Sequence, residues 1–337
     1  MIQEAIQKLV EGRSLNFEES VAAMTHIMEG NVTPAQFGAF VTALRLKGET
    51  VDEVAGMATV MREKSLHISS SYDLIDTCGT GGDDSGTFNI STAAAFVVSG
   101  LGVKVAKHGN RAMSGKTGSA DVLESLGANI DLSPEAVAKC IAETGFGFMF
   151  AQGFHPSMRF AAGPRREIGI RTVFNLLGPL TNPAGANRQL IGVSDPSIGV
   201  LMGNVLARLG CEKALIVHGN DGLDEITIST TSTVWTLESG IVTKTEVSPK
   251  EFGFNESPLS TISAPDPDTS ARIIRAVFEG TGGVARDIVL LNSAAALNGA
   301  NYVDSFQSGI EASSESIDSG SALASLNSYV EFSKELQ

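Results

Sequence analysis

Through the first 65 or so residues the apolar positions recur at helical spacing only, as Ile2, Ile6, Leu9 and Val10 do at the start. Asn16 with Glu19, Thr33 with Gln36 and Thr50 with Glu53 each place Glu or Gln three positions after a capping residue. That is the reciprocal pattern that opens a helix, and Pro34 falls where a first turn tolerates it. Four short helices without a strand make a bundle too small to be very stable alone. Some of its apolar surface must then pack on the rest of the chain or on a second subunit.

From about Tyr72 the pattern changes to strand, loop, helix, strand. The run YDLIDTC ends in a glycine-rich loop, STAAAFVVSGLG reads as a helix and VKVAKHG as the next strand. A second small-residue loop, a helix through SADVLESLG and a helix opened by Ser133 and Pro134 follow. FGFMF, RQLIGVS and ALIVHG read as buried strands, with a helix start at Asp195 and Pro196 between the last two. This alternation predicts an α/β fold with a mostly parallel central sheet behind a small N-terminal α-helical domain. Residues 226–247, rich in Thr, Val and Ile around Ser239 and Gly240, predict an antiparallel hairpin appended to that sheet. From Thr269 on the chain is mostly helical. The Ser-rich stretch SGIEASSESIDSGSALASL resembles a linker, but its Ala and Leu spacing predicts a surface helix.

Composition narrows the function. The 337 residues carry 38 acidic and 24 basic side chains, a net charge of −14 that argues against a nonspecific nucleic-acid binder. Cys78, Cys140 and Cys211 are far apart and form no CxxC pair, which fits a reducing compartment better than disulfides or a metal–thiolate site. The N-terminus does not read as a signal peptide and no apolar run reaches about 18 residues, so a soluble cytoplasmic protein is expected.

The strongest chemical signal is DTCGTGGDDSGTFNIST, residues 76–92. Its glycines let backbone approach a ligand closely, and Asn89, Ser91 and Thr92 open an apolar helix whose free N–H groups favour an anion. Neither the GxGxxG spacing of dinucleotide folds nor the lysine-ended phosphate loop of nucleoside triphosphatases is present, so phosphate is indicated and a dinucleotide is not. A second loop, KHGNRAMSGKTGSAD, follows the next strand with Lys107, Arg111 and Lys116 among small residues. Two such loops at adjacent parallel strands converge on one crevice. His108 fits either a core position or that crevice. HGNDGLDE, residues 218–225, fits either an exposed turn or a Mg²⁺ site. A carboxylate about 4 Å from a phosphate is repelled by ~4 kcal/mol at an effective dielectric of 20 unless a cation lies between them. The stretch from His155 to Gly185 carries four arginines, most of them expected in salt bridges to the bundle. Arg165 and Arg166 point about 100° apart on a helix and cannot both face one site.

Taken in order, GTGGD, FNIST, KHGNRA, GSAD, RTVFNLLGPLTNPA and DGLDE resemble the motif series of the anthranilate phosphoribosyltransferase family over nearly the whole chain. The resemblance implies a small helical domain over 1–70, with a contribution from the 160–180 helix region, and a large α/β domain over 71–337. It implies transfer of phosphoribosyl from phosphoribosyl pyrophosphate (PRPP) to anthranilate, in tryptophan biosynthesis, by displacement at the ribose C1 carbon, with no covalent nucleophile. Gly79, Gly82, Asp83 and Thr87 would surround PRPP, with Asn89, Ile90, Ser91 and Thr92 at its pyrophosphate. Lys107, His108, Gly109, Asn110, Arg111, Ala112, Met113, Ser114, Gly115 and Ser119 would complete that site. Ser91, Asp224 and Glu225 would serve Mg²⁺, two ions per subunit. Gly79, Asn110 and Arg165 would contact anthranilate, with His108 and Pro179 lining its approach. A homodimer through the small domain is implied, with neither nucleic acid nor membrane as partner. Two positions depart from the family pattern: Asp84 stands where Gly is common, and Gly115 where Ser is frequent. The nearest rivals are a pyrimidine nucleoside phosphorylase, which should lack the Asp224–Glu225 pair, and a nucleic-acid-binding relative, which should be basic.

Overall fold

A computed structural model of the chain describes residues 2–112 and 117–336, which leaves Met113, Ser114, Gly115 and Lys116 outside the described residues. Helices α1 (Ile2–Val10), α2 (Phe17–Met28), α3 (Pro34–Lys47) and α4 (Val51–Glu63) form the N-terminal bundle. All three reciprocal caps close as the spacing predicts, at Asn16, Thr33 and Thr50. Glu53 does more than cap. Fully buried, its carboxylate also accepts from Leu15 N–H at 2.9 Å and Lys47 Nζ at 2.9 Å, tying three segments of the bundle together.

The α/β region runs β1 (Leu74–Gly79), α5 (Ile90–Gly100), β2 (Lys104–Gly109), α6 (Ser119–Leu126), α7 (Pro134–Thr144), β3 (Phe146–Phe150), α8 (Ala151–Phe154), α9 (Arg159–Ile168), α10 (Phe174–Leu177), β4 (Arg188–Gly192), α11 (Gly199–Arg208), β5 (Lys213–Gly219), β6 (Ser232–Glu238) and β7 (Ile241–Val247). Helices α12 (Pro267–Phe278), α13 (Val284–Gly299), α14 (Phe306–Asp318) and α15 (Ser321–Glu335) end the chain. The seven strands lie in the order β3-β2-β1-β4-β5-β6-β7, the first five parallel and the last two antiparallel. Because β1 sits between β2 and β4, the winding reverses there. A crevice opens beyond the carboxyl ends of the strands at such a reversal.

The bundle's apolar core is continuous with α11 and with Ile191, Ala214, Ile216 and Trp235 on one face of the sheet. That contact supplies the burial the four helices lack by themselves. Helix α9 packs on α2 and α3, and Phe174 of α10 meets Phe37 at 5.4 Å.

Two predictions of secondary structure change. The hairpin begins at Ser232, not at residue 226, although Ser239 and Gly240 make the expected turn, both at positive φ. Over 226–231 hydroxyls displace the ladder: Thr227 N–H donates to Ser232 Oγ and Thr227 Oγ1 to Asp221. The Ser-rich stretch becomes α14 and α15, docked on α5 and α13. Ser313, Ser316 and Ser325 are buried because helices approach closely there, Ser316 Oγ donating to Val97 O at 2.8 Å.

Candidate active site

Glycine decides what can cross the strand ends. A Cβ on Gly79, the last residue of β1, would lie 2.6 Å from Asp224 Oδ2, and one on Gly192, the last of β4, would overlap the Asp224 carbonyl. The acidic turn after β5 therefore lies directly over the ends of β1 and β4. Gly81 N–H donates to Asp224 Oδ2 at 2.8 Å, and Ser91 N–H, at the start of α5, donates to Glu225. Both carboxylates are thus held by backbone against the glycine-rich loop. Removal from water, and next the charge of Asp83, pushes Asp224 up to about 6. Burial and then Asp224 hold Glu225 well above the usual carboxylate range. Asp221, the third acid of the turn, is committed elsewhere, accepting from Leu223 N–H and from Thr227 and Ser229 hydroxyls.

Crowded carboxylates of this kind fit a divalent cation that prefers oxygen donors. Among the described residues no three His, Cys, Asp or Glu side chains converge on one metal position. Such an ion would draw its remaining ligands from substrate oxygens and water.

Lys107 and His108 fall on β2, as the reading of VKVAKHG as a strand expects, so the loop quoted from Lys107 begins only after Gly109. Lys107 is buried, and its Nζ donates to Thr77 O and to Ser91 Oγ at 3.1 Å, bringing positive charge beneath the start of α5. Burial lowers its pKa, and Asp76 opposes that shift. Asp76 is in turn fixed by His108 N–H and by Asn182 Nδ2 at 2.8 Å. Asn89 caps α5 through Thr92 N–H, and the two loops are tied by Asn89 Nδ2 to Thr117 O and Thr117 Oγ1 to Thr87 O. The side chains of Ile90 and Thr92 lie in the core, so only backbone and Ser91 Oγ are available to a ligand at this helix start. Gly109 lets Ser119 Oγ close in, and Asn110 O accepts from Ser119 Oγ at 3.5 Å. Arg111 turns away to Asp121 and Glu124 of α6, while Ala112 N–H donates to Asp121.

A second wall lies toward α9 and α10. His108 Nε2 is 3.2 Å from His155 Nε2, and the His108 ring also bonds the Gly178 carbonyl, beside Pro179. Burial drives His108 to about 3 and His155 to about 4, so both rings are neutral at physiological pH. Pro179 is buried, its carbonyl held by Gln189 Nε2 at 2.8 Å. The salt bridges expected for most of the four arginines are absent among the described residues. Arg159 lies over Phe160, Arg165 over Phe174 at 5.2 Å, and Arg171 bonds the glycine loop. Arg165 is half-buried without an anion, and that burial lowers its pKa. Arg166 is exposed. Two residues that the sequence reading leaves out enter here. His155 closes the short helix α8 that follows β3, and Arg171 stands directly before the TVFN run.

Residues 71–323 match the family described as glycosyl transferase family, a/b domain, and residues 3–65 its helical bundle domain. The chain is 52% identical over 333 residues to anthranilate phosphoribosyltransferase of Acetivibrio thermocellus, covering 98% of this chain and 96% of that one. It is 52% identical to the enzyme of Dehalococcoides mccartyi, covering 100% and 99%. The chain belongs to the anthranilate phosphoribosyltransferase family. The family's solved structures agree in fold. The Thermus thermophilus protein superposes with a TM-score of 0.93 at 40% identity, covering 98% of this chain and 99% of that one. The Saccharomyces cerevisiae protein, solved in complex with PRPP and Mg, gives 0.91 at 28%, covering 99% and 98%.

Asp84 has a φ of 53°, a left-handed conformation that glycine adopts without cost. Its side chain is exposed, and the neighbour that raises Asp224 is Asp83. Asp84→Gly should therefore leave the PRPP KM within about twofold of the parent at low Mg²⁺, as surface substitutions do. A clear tightening in steady-state kinetics would put its carboxylate in the site.

Proposed function

We propose that this chain transfers the 5-phosphoribosyl group from PRPP to the amine of anthranilate, giving N-(5-phosphoribosyl)anthranilate and pyrophosphate, a step of tryptophan biosynthesis. The observation that carries this reading is the Asp224–Glu225 pair, pressed over the strand ends against the glycine loop and the start of α5. A site that held phosphate alone would gain nothing from two carboxylates there.

The glycine loop and the start of α5 would take pyrophosphate, with the buried Lys107 ammonium adding positive charge from beneath, and Asp224, Glu225 and Ser91 would hold Mg²⁺, two ions per subunit. Bound there, Mg²⁺ supplies positive charge against the departing pyrophosphate. Arg165 would take the anthranilate carboxylate by parallel bonds, supported by its lack of any anion in a half-buried position. Asn110 and Gly79, with His108 and Pro179, would hold the ring so that the amine faces the ribose. An aromatic amine is neutral near pH 7, so the chain needs no strong base to activate it and contributes position and electrostatics.

The same reading takes residues 1–70 with the 160–180 region as the small domain, 71–337 as the large one, and a homodimer through the small domain. Val10 and Leu46, exposed on α1 and α3, support that interface. No helix of the described residues is long and apolar enough to cross a membrane, which accords with a cytoplasmic enzyme. A nucleoside phosphorylase is the competing activity, and the assay separates them. Purified protein with thymidine or uridine and phosphate should release no free base, whereas EDTA should abolish consumption of anthranilate with PRPP. Base release indifferent to EDTA would reverse the assignment.

A further inference from the structure

The Arg171 guanidinium donates to Gly81 O at 3.2 and 3.3 Å and to Gly82 O at 3.1 Å. Ser194 Oγ donates to Gly81 O as well, at 3.1 Å. A trans peptide is planar, so each carbonyl points opposite to the N–H of the next residue. Fixing Gly81 O and Gly82 O toward Arg171 therefore aims the N–H groups of Gly82 and Asp83 the other way. Neither N–H has a hydrogen-bond partner among the described residues, whereas the preceding ones do: Thr80 N–H bonds Gly192 O and Gly81 N–H bonds Asp224. The positive φ of Gly81 and Gly82, 65° and 71°, is what lets two successive amides face one side.

We infer that Arg171 is a positioning residue for PRPP: it turns the Gly82 and Asp83 amides outward as a pair of donors for phosphate oxygens. The inference rests on the reading of this crevice as the PRPP site. It also joins the two walls of the crevice, because Arg171 follows the helix that carries Arg165. A charged donor is suited to the task. A guanidinium spans two carbonyls at once, and two parallel bonds fix the plane of each peptide better than one.

Calorimetric titration of PRPP with MgCl₂ into parent and variant proteins tests this. Arg171→Ala should weaken PRPP binding roughly five- to thirtyfold, raise the PRPP KM in step and leave the anthranilate KM nearly unchanged. Tm should stay within about 2 °C, since the side chain is exposed. Arg171→Lys should recover part of the loss, one ammonium reaching one carbonyl. Gly82→Ala, whose methyl group would collide with Nη1, should weaken PRPP similarly, and the double variant should be no weaker than the worse single one. Unchanged PRPP affinity in folded Arg171→Ala would overturn the inference. So would additive losses in the double variant, which would show that Arg171 touches the ligand itself. The titration reads PRPP alone, so its result stands whichever acceptor the crevice takes.

Discussion

Asp224→Asn combined with Glu225→Gln should fold at least as well as the parent chain and lose turnover by about a hundredfold or more. The two carboxylates are the anionic oxygens that would hold Mg²⁺ where pyrophosphate departs, and Lewis-acid stabilisation of that charge amounts to several kcal/mol. Stability should move the opposite way from activity. A carboxylate whose native pKa is raised to about 6, against about 4 in the unfolded chain, binds more protons when folded across that window. Without metal, its contribution to stability is therefore full at low pH and is lost as pH rises toward 6. The double amide variant removes this slope. Thermal melts in EDTA at pH 5 and pH 8 should show the parent losing more on going to pH 8 than the variant does. Added Mg²⁺ should raise the parent's Tm at pH 8 and leave the variant's unchanged. Near-normal turnover of the folded variant across a Mg²⁺ titration would remove the metal assignment.

Arg165→Ala should raise the anthranilate KM about 10- to 150-fold while the PRPP KM holds. The cation is half-buried over the Phe174 ring and has no carboxylate of its own, so its burial is offset only when a ligand brings an anion. Loss of a charge-assisted bond in such a place costs roughly 1.5–3 kcal/mol. A fall in kcat as well would mean that the arginine also aligns the amine. Arg166→Ala, exposed and about 100° around the helix, should change neither constant. Equal losses at both positions, or a defect confined to PRPP, would make these arginines structural or phosphate-binding.

Much of this arrangement was legible in the sequence because it depends on local chemistry. The caps at Asn16, Thr33 and Thr50, the glycine loop between β1 and α5, and the acid pair after β5 each announce themselves within a few residues. The parallel sheet follows from the alternation of strands and helices. Contacts between distant segments were not legible. That Gly79 and Gly192 are small to admit Asp224 depends on strands more than a hundred residues apart in sequence. Lys107 was legible as the end of a strand, but not that its ammonium reaches across to Thr77 and Ser91. HGNDGLDE carries three acids, and only the folded turn shows Asp221 spent on Thr227 and Ser229. Most of the arginines after His155 were expected in salt bridges, whereas aromatic rings hold Arg159 and Arg165, backbone carbonyls hold Arg171, and Arg166 is exposed.

The most direct test follows anthranilate fluorescence in one cuvette while released pyrophosphate is counted. The fluorescence should fall only when PRPP and Mg²⁺ are both present, with one pyrophosphate for each anthranilate consumed. Steady fluorescence with all three components, or a fall that proceeds without PRPP, would contradict the account.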